Sequence, residues 1–121
     1  MILITGGSYQ GKLEYARSRF GLAEDDICLN GVDLDKKCLA YIDRWALQYL
    51  RDGGEPAILF RANADALKDK IVITTDISSG VVPMDPELRA WREACGRMNS
   101  YLASQADEVW RLFCGIPQRL K

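Results

Sequence analysis

Histidine does not occur among the 121 residues of this chain. Mechanisms that need an imidazole base or nucleophile are therefore closed to it. Its four cysteines, Cys28, Cys38, Cys95 and Cys114, are scattered, with no Cys-x-x-Cys pair. Nothing here has the form of a zinc site, and the thiols read as reduced, half-buried small hydrophobes. Charge of either sign is not in excess: 16 basic residues face 17 acidic ones, for a formal net charge of -1. The chain thus carries neither the basic footprint of a nucleic-acid binder nor an acidic tail. No apolar run is long enough to span a membrane, and Met1-Ile2-Leu3-Ile4 is too short for a signal-peptide core. The expectation is a cytoplasmic protein with neither nucleic acid nor membrane among its partners. Internal repeats and low-complexity segments are also missing, and the length suits one domain over residues 1–121.

What is present is concentrated at the start. Met1 to Ile4 is an apolar run that enters the turn Thr5-Gly6-Gly7-Ser8-Tyr9-Gln10-Gly11-Lys12-Leu13, and the residues from Leu13 to Phe20 read as helix. Strand, Gly-x-x-x-x-Gly-Lys, helix is the pattern of a phosphate-binding loop. Glycines let the backbone wrap closely, so that N–H groups point at phosphate oxygens. The helix N-terminus adds partial positive charge, and Lys12 would reach the terminal phosphates. Residues Gly6, Gly7, Ser8, Tyr9, Gln10, Gly11, Lys12 and Leu13 are the candidate nucleotide-binding set. At its last position the pattern wants Ser or Thr, whose hydroxyl binds magnesium, and this chain has Leu13. The i, i+3, i+7 spacing of Leu13, Ala16 and Phe20 also fits a core-facing stripe.

Further along, Asp26 to Leu29 reads as a second strand. Asp33 reads as the cap of a helix with Leu34, Cys38, Leu39, Ile42, Trp45, Ala46 and Tyr49 on its apolar stripe. Asp35, Lys36, Asp43, Arg44 and Arg51 fall on the opposite face, and Gly53-Gly54 ends the helix. Pro56 precedes a third strand, Ala57 to Phe60, and a helical turn is expected near Ala64 to Leu67. Ile71 to Thr75 is β-branched throughout, as in a strand buried on both faces. Asp85-Pro86 opens a helix with Leu88, Trp91, Cys95, Met98 and Leu102 facing inward. Val109 to Cys114 is a last strand, and Gly115-Ile116-Pro117 closes the tail. Alternating strands and helices predict a three-layer α/β domain of the P-loop NTPase kind, with a mainly parallel sheet.

In such a sheet, ligands sit outside the carboxyl ends of the strands. Asp76 leaves the end of the Ile71–Thr75 strand, where a phosphate-loop protein holds magnesium directly or through water. Lys12 and Asp76 are therefore the candidate catalytic pair, with Asp76 as metal ligand or hydroxyl-activating base. The competing assignment is that Asp76 caps the turn at Ser78-Ser79-Gly80. Arg61 reads as a solvated loop charge or as a residue that reaches a phosphate, and Trp45, Trp91 and Trp110 as core or interface residues. Asn99 reads as bonding across an interface or facing water.

Three blocks together resemble the adenosylcobinamide kinase / adenosylcobinamide-phosphate guanylyltransferase family of cobalamin biosynthesis. They are the opening Ile-Leu-Ile-Thr-Gly-Gly…Gly-Lys, the segment from Ile71 to Gly80-Val81-Val82-Pro83, and the C-terminal block. In the last, Arg92, Gly96 and Asn99 match that family's Arg-x-x-x-Gly-x-x-Asn helix. Ala106 to Trp110 and Gly115 to Lys121 look like its closing strand and tail. The resemblance implies ATP or GTP as nucleotide, Mg2+ as its metal and a cobinamide-type corrinoid as acceptor. Family members phosphorylate the aminopropanol hydroxyl of adenosylcobinamide, then transfer GMP through a guanylylated histidine. Without histidine, the second reaction cannot run by that route here. The region between Leu29 and Ala57 is shorter than the family's. Its Asp-Cys after a strand corresponds to Phe60-Arg61, and its Asn-Glu to Thr75-Asp76. Family members assemble as oligomers, and the strip Gly96, Asn99 and Ala103 is a candidate homo-oligomer contact. Two readings follow: a pared-down cobinamide-type kinase using Lys12 and Asp76, or a non-catalytic relative that binds a nucleotide, a corrinoid or a partner protein.

Overall fold

A computed structural model describes residues 1–77 and 82–121. Six strands form one sheet: β1 (Ile2–Gly6), β2 (Ile27–Leu29), β3 (Cys38–Ala40), β4 (Ile71–Ile73), β5 (Glu108–Phe113) and β6 (Ile116–Arg119). Their lateral order is β2-β3-β4-β1-β5-β6, parallel throughout except where β6 returns antiparallel to β5. The described helices are α1 (Lys12–Phe20), α2 (Ile42–Arg51), α3 (Pro56–Ala62) and α4 (Pro86–Gln105).

Register explains the three layers. Leu39, Val72, Leu3 and Val109 lie side by side across four strands. Side chains alternate along a strand, so this row faces one way, onto Ile42, Ala46, Phe60, Met98 and Leu102 of α2, α3 and α4. The next row, Ala40, Ile73, Ile4 and Trp110, faces the other way, onto Leu13 and Ala16 of α1. A sheet covered on both faces by helices is the predicted three-layer arrangement, with the mainly parallel sheet expected of a P-loop-like fold. Because α1 and α4 lie on opposite faces, the chain parts at the carboxyl ends of β1 and β4, which opens a crevice there. Among the described residues, no helix is long and apolar enough to cross a membrane.

The ends of the elements follow local chemistry. Asp85 caps α4, its carboxylate accepting the Glu87 N–H at 2.8 Å, with Pro86 at the first helical position. Gly53, left-handed at φ 91°, lies just past the end of α2. Ala64–Leu67 forms the expected short turn, as a 3-10 helix. Cys38 and Cys95 are buried and their thiols are pushed up to about 12 by burial, whereas Cys28 is half-buried and Cys114 exposed. Leu88, expected on the inward stripe of α4, is exposed.

Two elements differ from the sequence reading. The helix expected between Asp33 and Gly53-Gly54 is a strand followed by a helix: Cys38, Leu39 and Ala40 are buried between β2 and β4, and the helix begins at Ile42. Helical spacing of Leu34, Cys38, Leu39 and Ile42 coincides with a short apolar run, and pairing within the sheet decides between them. Asp33 instead closes a turn, its carboxylate accepting the Asp35 N–H at 3.0 Å. The strand expected at Ala57 to Phe60 is α3, begun by Pro56 at its first position. Ala57 and Phe60, three apart, are buried, while Ile58 is exposed, which is helical and not strand periodicity. The tail adds β6, joined to β5 by a turn with Cys114 and Gly115 both at positive φ, the twist-matched hairpin type. Pro117 is tolerated because β6 is an edge strand.

Candidate functional site

β1 delivers the chain to the crevice at Gly6, whose φ is 146°. A Cβ there would lie 2.5 Å from the Leu112 carbonyl oxygen, so the approach of β1 to β5 admits glycine alone. Gly11, left-handed at φ 83°, then turns the chain into α1. Residues 7–10 form the intervening turn, with Tyr9 at φ 58° and its side chain fully exposed. The β5–β6 turn braces this loop. The Cys114 N–H donates to Gln10 Oε1, and the Gly115 N–H donates to the Gln10 carbonyl at 3.0 Å.

Lys12 opens α1 yet is only 2% exposed. Its Nζ donates to the Gly7 carbonyl at 2.6 Å, so the ammonium is folded back over the loop. Burial lowers its pKa from the ordinary lysine value, and the Asp43 carboxylate works in the opposite direction. Leu13 turns inward and joins the core beneath α1 with Ile4, Ala16 and Leu112. Its side chain therefore serves packing, as the i, i+3, i+7 spacing indicated.

Around the loop lies a cleft of about 230 Å³, lined by residues 8–12 and by Glu14, Tyr41, Arg44 and Thr75. Tyr41, Asp43 and Arg44 were not among the sequence candidates. All three follow from β3: its carboxyl end places Tyr41, left-handed at φ 60°, at the start of α2. Asp43 was expected on a solvated face, but it is 3% exposed. Its Oδ1 accepts the Thr75 N–H at 2.9 Å, and its own carbonyl accepts the Trp91 indole N–H at 2.8 Å. Burial raises its pKa above the ordinary carboxylate value, opposed by the Thr75 N–H and by Lys12. Reading Cys38-Leu39-Ala40 as a buried strand would have been the signal for these residues. Ala57 to Phe60 is helix and not a strand, so the assignment of Asp-Cys to Phe60-Arg61 as the residues after a strand does not stand.

Asp76 lies beside the loop but in an adjoining cleft. Its N–H donates to the Gly6 carbonyl at 2.8 Å. Its exposed side chain lines a space of about 270 Å³ with Thr5, Arg92, Gly96 and Asn99 among others. Asn99 Oδ1 accepts the Thr74 hydroxyl at 3.1 Å, which ties α4 to β4 within the chain. Whether Asp76 caps the turn at Ser78-Ser79-Gly80 lies outside the described residues. Trp45, half-buried, stacks on Tyr49 at 4.7 Å, and the Arg61 guanidinium lies 4.9 Å from the Tyr101 ring centre.

The model of the family described as cobinamide kinase / cobinamide phosphate guanyltransferase matches residues 53–120. The chain belongs to that family. Two curated relatives, each named bifunctional adenosylcobalamin biosynthesis protein CobU, come from Salmonella typhimurium strain LT2 and Escherichia coli strain K12. The first is 37% identical and the second 35%, each over 51 residues. Those residues are 42% of this chain and 28% of each relative, so the likeness spans little more than a quarter of their length. The family match takes in α3, β4, α4, β5 and β6 with Asp76 and Arg92. The phosphate loop and Tyr41, Asp43 and Arg44 lie outside it.

Magnesium is the metal that the loop pattern and the family resemblance imply. The donors present do not fit a protein-held magnesium at this loop. The hydroxyl position is Leu13, in the core, and one oxygen of Asp43 is committed to the Thr75 N–H. Asp76, the sequence candidate for the metal, lines the adjoining cleft and not the one around the loop.

Proposed function

We propose that this chain is a nucleotide-binding protein of cobalamin biosynthesis that holds the phosphates of ATP or GTP at residues 6–12. The observation that carries this reading is the buried Lys12 ammonium, folded over a glycine turn at the carboxyl end of a parallel strand. The reaction class is phosphoryl transfer to a hydroxyl of a cobinamide-type corrinoid. Lys12 stabilises charge on the transferred group, and Asp76, in the adjoining cleft, accepts the proton of the acceptor hydroxyl. Guanylyl transfer through histidine has no place in this chain. The exposed Gly96 edge of α4 supplies a homo-oligomer contact in this reading, and sedimentation as a monomer at micromolar concentration would count against it.

A second reading, binding without transfer, is favoured by the burial of Leu13, which removes one magnesium contact from the site. Incubation with ATP or GTP labelled at the γ-phosphate, magnesium and cobinamide separates the two. Label on the corrinoid, absent with Lys12→Ala and Asp76→Asn, is the expected result. Saturable nucleotide binding without label on the corrinoid would select the second reading. No saturable binding of either nucleotide would overturn both.

A further inference from the structure

The cleft around the loop contains a second cation that the phosphate-loop pattern does not call for. Arg44 lines it from the first turn of α2, as Lys12 does from the start of α1. The two cations share one aromatic ring. The Arg44 guanidinium carbon lies 5.0 Å from the centre of Tyr41, and Lys12 Nζ lies 5.9 Å from it. Arg44 also acts on Lys12 directly, as one of the charges that lower its pKa. Tyr41 holds a left-handed backbone at the junction of β3 and α2, a conformation uncommon for a residue with a side chain.

Two acidic groups act on these cations, Asp43 on both and Glu14 on Lys12. Asp43 is buried, with one oxygen bonded to the Thr75 N–H. Glu14 sits exposed on the first turn of α1. A polyphosphate bound in this cleft would meet the Lys12 ammonium and the Arg44 guanidinium together. Guanidinium forks pair with phosphate oxygens through two parallel N–H bonds. At the same loop, the position that would offer magnesium a hydroxyl is a buried leucine.

We infer that Arg44, held against Tyr41, takes the charge-neutralising place of magnesium, so that this loop binds the polyphosphate of a nucleotide without a divalent cation. This rests on the nucleotide-binding reading above and names the feature that sets its metal requirement. Arg44 is a surface residue, and its replacement leaves the core untouched.

The experiment is a titration of ATP into wild type, Arg44→Gln and Lys12→Ala, each with excess EDTA and each with magnesium. The account expects wild-type affinities within about threefold of each other in the two conditions. It expects Arg44→Gln to bind at least about tenfold more weakly in EDTA, the loss of one charge-assisted pair, with a smaller loss in magnesium. Binding by wild type that appears only with magnesium overturns the inference. So does an Arg44→Gln variant that matches wild type in EDTA while Lys12→Ala does not bind, a result that leaves the phosphate loop itself standing. Absence of binding by wild type in both conditions overturns the loop reading and the inference together.

Discussion

Residues 53–120, where the family model matches, supply Phe60, Met98, Leu102 and Leu112, side chains buried completely or nearly so that fix how α3, α4 and β5 pack. The first 52 residues supply Gly6, Lys12, Tyr41, Asp43 and Arg44, which together line or support the cleft around the glycine loop. The matched half carries the framework together with Thr75 and Asp76, and the other holds most of the cleft around the loop. Membership in the family therefore establishes architecture, while the charges at the loop must be read from this chain's own residues. The halves meet where β1 pairs with β4 and β5 and β3 with β4, at the Asp43–Thr75 bond, and at the bonds between Gln10 and the β5–β6 turn.

Substitutions can break this contrast. The largest effect is expected at the seam, from Gly6→Ala: a positive φ and a Cβ 2.5 Å from the Leu112 carbonyl together cost about 3–5 kcal/mol. Urea unfolding should show it, with nucleotide binding lost as the fold is lost. Met98→Ala, in the framework, is expected to cost about 3 kcal/mol by leaving a cavity under α4. Its affinity for ATP at low temperature should equal that of wild type. An affinity loss without further unfolding would mean that the two halves are not separable in this way.

Asp43→Asn should do the reverse, since Asn keeps an oxygen for the Thr75 N–H. Removing the carboxylate removes an influence that raises the Lys12 pKa, so the variant should lose nucleotide affinity at lower alkaline pH than wild type. Stability carries the opposite sign. The folded pKa of Asp43 lies above its ordinary value of 3.8, so wild type loses stability as pH rises from that value through the folded pKa. Denaturation across that range should find the decline shallower in Asp43→Asn. The smallest effect is expected from Gln10→Ala. Loss of the side-chain bond to Cys114 costs about 1 kcal/mol and loosens the loop, with a severalfold fall in affinity.

The strand, glycine turn and helix at the start were legible because Gly6 and Gly11 are local signals, each needed for a local backbone reason. Strands β1, β4 and β5 were legible because their apolar runs are bounded by turns or by charge. β3 was not, since three buried residues that also fit a helical stripe are assigned by their neighbours in the sheet. α3 was misread because four apolar residues after Pro56 suit either element. The burial of Ala57 and Phe60 against the exposure of Ile58 is a tertiary fact. Misplacing β3 hid Tyr41, Asp43 and Arg44 together, because a residue at the carboxyl end of a strand reads as chemistry only once the strand is known. Asp76 was legible in position beside Gly6, although its side chain lines the adjoining cleft.

Calorimetric titration of ATP and of GTP into wild type and Lys12→Ala addresses the central claim most directly, that residues 6–12 hold nucleotide phosphates. The account predicts saturable binding of at least one nucleotide by wild type and its loss in a folded Lys12→Ala. Equal binding by both proteins, or none by either, would contradict it.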